Sequence, residues 1–88
     1  MTKFMCTHSI PAGKFSADQL RQLSQAAQQD PTIKGYRSFT NLAEGKAICV
    51  MEAPTKDALA AWFKKMGMPF DSITQVELEG ERGNIQPA

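Results

Sequence analysis

The stretch KAICVMEAPTKDALAAWFKKMGMP, residues 46–69, reads as a strand that runs directly into a capped helix. Lys46 to Met51 is a compact apolar run in which the β-branched Ile48 and Val50 suit a pleated surface. Pro54 and Thr55 then switch the backbone to helix. Thr55 can accept a hydrogen bond from an otherwise unpaired helix N–H, and Asp57 lies near the positive end of the helix dipole. Leu59, Trp62, Phe63 and Met66 fall on one helical face, and Gly67 and Pro69 close the helix.

The N-terminal half repeats this plan. Lys3 to Ile10 sets Phe4, Cys6, His8 and Ile10 against Lys3, Met5, Thr7 and Ser9, the period-two pattern of a strand with two differently used faces. Pro11-Ala12-Gly13 breaks that strand. Ser16 and Gln19 form a capping box, and Leu20, Leu23 and Ala27 continue at helical spacing, which predicts a helix over about Ala17–Gln29 that Asp30-Pro31 stops. Ile33 to Thr40 is a second strand, joined through the turn chemistry of Asn41 to Gly45 to the strand at Lys46, and Ile73 to Leu78 is a fourth. The order β-α-β-β-α-β predicts an α+β domain of ferredoxin-like type over residues 3–78, with two helices on one face of a four-stranded antiparallel sheet. Leu20, Leu23, Leu59, Trp62, Phe63 and Val76 are its expected core. Residues 79–88, with Gly80, Gly83 and Pro87, read as a loosely ordered tail.

Composition narrows the function classes. With 88 residues the chain has room for one core, and 42% hydrophobic with 22% charged residues is an ordinary globular mixture. The net charge of +1 and the scatter of Lys and Arg leave no basic stripe for nucleic acid. The absence of a membrane-length apolar run or a signal core, together with only two cysteines, predicts a cytoplasmic protein with reduced thiols and no membrane partner. A domain this small, with one sheet face left bare, predicts a homodimer.

Cys6 and His8 are two apart on the first strand, so they share a face; Cys49 and Met51 do the same on the third. In this topology the first and third strands are central neighbours, so Cys6, His8 and Cys49 can meet on one side of the sheet. Thiolate, imidazole and thioether donors suit nickel, copper or zinc rather than magnesium or calcium. The same residues also have plain structural uses, because free cysteine and methionine are common core fillers. Ile48 and Val50 alternate with Cys49, so parity alone leaves open which face packs under the helices. As the one histidine, His8 is the best single acid-base candidate. Tyr36 and Arg37 could line the uncovered face, and Glu52 could act as a base at the end of the third strand. No glycine-rich phosphate loop, nucleophile elbow or catalytic triad occurs, so an enzymatic role has no motif behind it.

Ile48-Cys49-Val50-Met51-Glu52-Ala53-Pro54, then Gly67-Met68-Pro69-Phe70-Asp71-Ser72-Ile73-Thr74-Gln75-Val76-Glu77, resembles the paired signature of a family of small proteins of unassigned function, some described as nickel-binding. Lys3-Phe4-Met5 with His8, and the proline-glycine turn before the first helix, are similar too. The resemblance implies a ferredoxin-like dimer in which His8 matches a first-strand histidine and Cys49 the third-strand cysteine of metal-binding members. An acidic residue is common in that family where Cys6 stands here, and a softer ligand there shifts the preference toward copper or zinc. A bare sheet face is also similar to dimeric α+β barrels, in which paired faces enclose a small organic ligand, as in muconolactone isomerase-like and cofactor-free monooxygenase-like enzymes. A passive dimeric interaction module is the third reading.

Overall fold

The structure, a computed structural model, describes residues 1–88. Strand β1 (Thr2–Ser9), helix α1 (Ala17–Gln29), strands β2 (Lys34–Asn41) and β3 (Lys46–Ala53), helix α2 (Lys56–Lys65) and strand β4 (Ser72–Gln75) follow in the expected order. The sheet runs β2-β3-β1-β4 with every pairing antiparallel, so the fold is ferredoxin-like α+β with β1 and β3 at its centre.

Local chemistry accounts for each boundary. The capping box forms as read: the Gln19 N–H donates to Ser16 Oγ at 3.2 Å and the Ser16 N–H to Gln19 Oε1 at 2.7 Å. Asp30 ends α1, its carboxylate accepting from the N–H groups of Thr32 and Ile33 at 2.8 and 2.9 Å. Thr55 Oγ1 caps α2 by accepting from the Ala58 N–H at 3.1 Å. In the β2–β3 turn Gly45 has φ +69°, and a Cβ there would lie 2.3 Å from the Ile10 carbonyl oxygen, so no other residue fits. That approach lets the Ile10 N–H donate to the Gly45 carbonyl at 2.7 Å, tying the end of β1 to the turn.

Both helices lie over the face that carries Phe4, Cys6, His8, Ala47, Met51 and Ile73, all buried. They cover it unequally. Helix α2 buries Leu59, Trp62 and Phe63, whereas the 13-residue α1 buries only Ala27. Of the expected core, Leu59, Trp62 and Phe63 are buried and Leu20, Leu23 and Val76 are half-buried. The gap under α1 opens a cavity of about 320 Å³, walled by residues of both helices, β2 and β3.

The segment expected as a loose tail is instead paired. β5 (Leu78–Glu81) and β6 (Asn84–Pro87) form an antiparallel hairpin turned by Arg82-Gly83, both at positive φ. Gly80 and Gly83 signal turns but hide the strand pairing around them. Ionic contacts pin the hairpin to the sheet: Glu79 pairs with Lys3, whose ammonium lies 4.1 Å from the centre of the Tyr36 ring, and Arg37 approaches Glu81 at 4.0 Å.

The Lys3 hydrogen bond, followed by that of Tyr36, holds the Glu79 carboxyl below the usual carboxylate range, and the Glu79 hydrogen bond raises Lys3. The docking contribution is therefore complete above the ordinary glutamate pKa and fades as pH falls through the lowered Glu79 value. At the alkaline end it persists to above the ordinary lysine pKa and is lost through the raised Lys3 value. Nuclear magnetic resonance shifts of residues 78–87 should hold steady through neutral pH and move toward undocked values in acid, and Glu79→Gln should abolish the acid transition. Shifts that ignore pH in the wild type would show that the hairpin is held otherwise.

Candidate metal centre

The β1–β3 register places Cys6 opposite Cys49, Phe4 opposite Met51 and His8 opposite Ala47. Directly opposed residues in an antiparallel ladder share a face, so Cys6, His8, Cys49 and Met51 all project beneath the helices. This resolves the question of faces that alternation left open. Tyr36 and Arg37 sit beside a β-bulge in β2 and reach the hairpin, Lys3 and the outer face.

His8 is 3% exposed and doubly held. Its Nδ1 lies 2.7 Å from the Pro69 carbonyl oxygen and its Nε2 lies 3.1 Å from Cys49 Sγ. A carbonyl only accepts, so Nδ1 carries a proton and donates it; in the neutral ring Nε2 then presents its lone pair to Cys49. Phe63 meets the imidazole edge-on at a centroid distance of 5.1 Å and closes one side. The Pro69 loop is placed by the end of α2, where the Met68 N–H donates to the Phe63 carbonyl at 2.9 Å. The Gly-x-Pro step therefore orients the histidine as well as ending the helix, a role that sequence spacing does not reveal.

Both cysteines are free, Cys6 buried and Cys49 half-buried in the cavity wall next to His8. They ionise as a pair. Hydrogen bonding from Cys49 lowers Cys6 against the opposing effect of burial; the hydrogen bond to Cys6, burial and the charge on Cys6 push Cys49 far up. The Cys49 thiol has two acceptors beside it, the Cys6 sulphur and His8 Nε2.

No group of three or more His, Cys, Asp or Glu side chains is arranged to hold a metal ion. The geometry delivers two donors, Cys49 Sγ and His8 Nε2, with Cys6 as the cross-strand neighbour.

The model of the nickel responsive protein SCO4226-like family matches residues 4–76. The chain belongs to this family. The crystal structure of SCO4226 from Streptomyces coelicolor A3(2) matches with a TM-score of 0.73 and 27% sequence identity, covering 89% of this chain and 99% of that one. No curated protein matches the chain. The matched span takes in His8, the two cysteines and the Pro69 loop, and stops before the β5–β6 hairpin.

Following thiolate absorbance against pH should show a first ionisation below the ordinary cysteine value and a second above it. In Cys6→Ala the remaining thiol should ionise at lower pH than the second wild-type step, because the Cys6 hydrogen bond and charge are gone, yet above an ordinary cysteine because Cys49 stays buried. Two overlapping wild-type steps in the ordinary range would contradict the paired arrangement.

Proposed function

We propose that this protein binds a late transition metal ion, nickel, copper or zinc, through Cys6, His8 and Cys49, and that it works as a cytoplasmic homodimer. One observation carries the metal reading: the Pro69 carbonyl fixes the His8 tautomer so that a bare Nε2 faces a thiol in a cavity wall. A backbone acceptor on the second ring nitrogen is the usual support of a metal-ligating histidine. Metal–sulphur and metal–nitrogen bonds of about 2.3 and 2.0 Å at a tetrahedral angle put the two donor atoms about 3.5 Å apart. The present 3.1 Å would thus have to widen only slightly. A bound cation also favours the loss of both thiol protons. The family description favours nickel among the three metals. Cys6 would turn toward the pair as third ligand, and Met51, buried on the same face, is a further soft donor.

The cavity supports a second reading, a small organic ligand, because about 320 Å³ with 12 hydrophobic residues among its 19 lining residues meets the lower end of small-molecule sites, roughly 300–1,000 Å³. It lies under α1, not on the bare sheet face where a barrel-type pocket would form. The bare face instead supports dimerisation: Met5, Phe39 and Ile48 are 44%, 62% and 51% exposed there. No helix is long and apolar enough to cross a membrane. Free thiols fit a reducing compartment.

Titrating nickel, copper and zinc into reduced protein should give saturable binding that weakens as pH falls, because protons compete for the sulphur and nitrogen donors. His8→Ala and Cys49→Ala should each lose more than the roughly 10–100-fold in affinity that an outer partner is worth. Binding equal in wild type and the double variant would end the metal reading and leave the organic ligand. Light scattering should return twice the 9.7 kDa chain mass, and Ile48→Glu should return the single mass with the fold intact. A wild-type mass of one chain at micromolar concentration would refute the dimer.

A further inference from the structure

Cys6 and Cys49 have a second chemistry open to them that does not need a metal. Residues directly opposed across an antiparallel ladder have Cα atoms about 4.5–5.5 Å apart, inside the roughly 4.4–6.8 Å that a disulfide spans. Both side chains lie on the same face and both are free. Only Cys49 reaches the cavity; Cys6 is fully buried behind it. His8 Nε2, 3.1 Å from Cys49 Sγ, holds that sulphur in the cavity wall.

We infer that the two thiols form a hydroperoxide-reactive pair in which Cys49 is oxidised first and Cys6 resolves it to an internal disulfide between β1 and β3. The Cys49 thiol passes its proton to His8 Nε2, 3.1 Å away, as its sulphur attacks one peroxide oxygen and the O–O bond breaks. The sulphur is oxidised to a sulfenic acid, and the peroxide is reduced to water or an alcohol that leaves with that proton. The Cys6 sulphur then attacks the Cys49 sulphur, the S–S bond forms as the S–O bond breaks, and the hydroxyl leaves as water with the Cys6 proton. The cavity admits a small hydroperoxide, whereas the buried position of Cys6 leaves it reachable only by Cys49. Small thiols reverse the bond by exchange at Cys49. Joined to the metal reading, on which this last consequence rests, oxidation removes both sulphur ligands at once and releases the ion.

Reduced, metal-free protein treated with stoichiometric hydrogen peroxide should become lighter by two hydrogens while remaining one chain. Tryptic digestion should yield residues 4–14 linked to residues 47–56, and dithiothreitol should restore the reduced mass. Cys6→Ala and the milder Cys6→Ser, each checked for native circular dichroism, should retain an oxygen on Cys49 that dimedone traps. Cys49→Ala should stay unmodified at the same dose. The inference is overturned if both wild-type thiols remain free to alkylate after unfolding, if the link forms only between chains, or if Cys6 oxidises as fast in Cys49→Ala as Cys49 does in the wild type. Nickel titration of the reduced and oxidised forms separates the two proposals. An internal disulfide in a protein that binds no metal when reduced removes the metal reading alone; metal binding without the disulfide removes the redox pair alone.

Discussion

The antiparallel register of β1 on β3 is the constraint from which the rest of the molecule follows. It sets Phe4 on Met51, Cys6 on Cys49 and His8 on Ala47, and so decides at once which side chains meet α2 and which donors meet each other. A slip of one residue would turn Cys6 and His8 to the outer face and bring Met5 and Thr7 under the helices. Three features oppose that slip: the Ile10 N–H bonded to the Gly45 carbonyl at one end of the ladder, β4 hydrogen-bonded along the other side of β1, and the apolar fit of Phe4 and Ile73. Core and candidate site therefore share one specification, and a sequence change that preserves the core also preserves the donor geometry.

His8 shows how closely the two are joined. A buried imidazole needs partners for both nitrogens, and it takes one from the loop after α2 and the other from β3. Each bond spans distant parts of the chain, 61 residues in one case and 41 in the other, so the Cys49 bond waits on the β1–β3 pairing and the Pro69 bond on the seating of the loop after α2. The ring thus fastens the Pro69 loop to the sheet while aiming Nε2 at Cys49. Its packing role and its chemical role are not alternatives, because the same hydrogen bond serves both.

Much of the fold could be read from the chain because its signals are local. The Ser16–Gln19 capping box, the Asp30-Pro31 stop and the Thr55 cap each act within a few residues and each appears as read. The ferredoxin-like order follows from them. The covered face was not legible, since β3 carries apolar side chains on both faces, Ile48 and Val50 on one and Ala47, Cys49 and Met51 on the other. Only the depth of packing under α2 separates them. The role of the Pro69 carbonyl was hidden for a similar reason: a backbone acceptor has no letter of its own. The β5–β6 hairpin reads as a tail in sequence because short strands rich in glycine and charge carry little alternation, and its docking depends on Lys3 and Tyr36 far earlier in the chain.

The loose seating of α1 gives the site its access. A helix of 13 residues that buries one alanine contributes little to the core, and its glutamines face solvent along most of its length. Filling the cavity beneath it with larger side chains at Leu23 or Ala27 would add buried apolar area, yet it would also seal Cys49 from anything small enough to react with or bind to it. Cys49 lines the cavity and is half-buried, whereas Cys6 lies outside its lining and is buried. The cavity thereby distinguishes the two thiols, one presented to it and one held in reserve behind it.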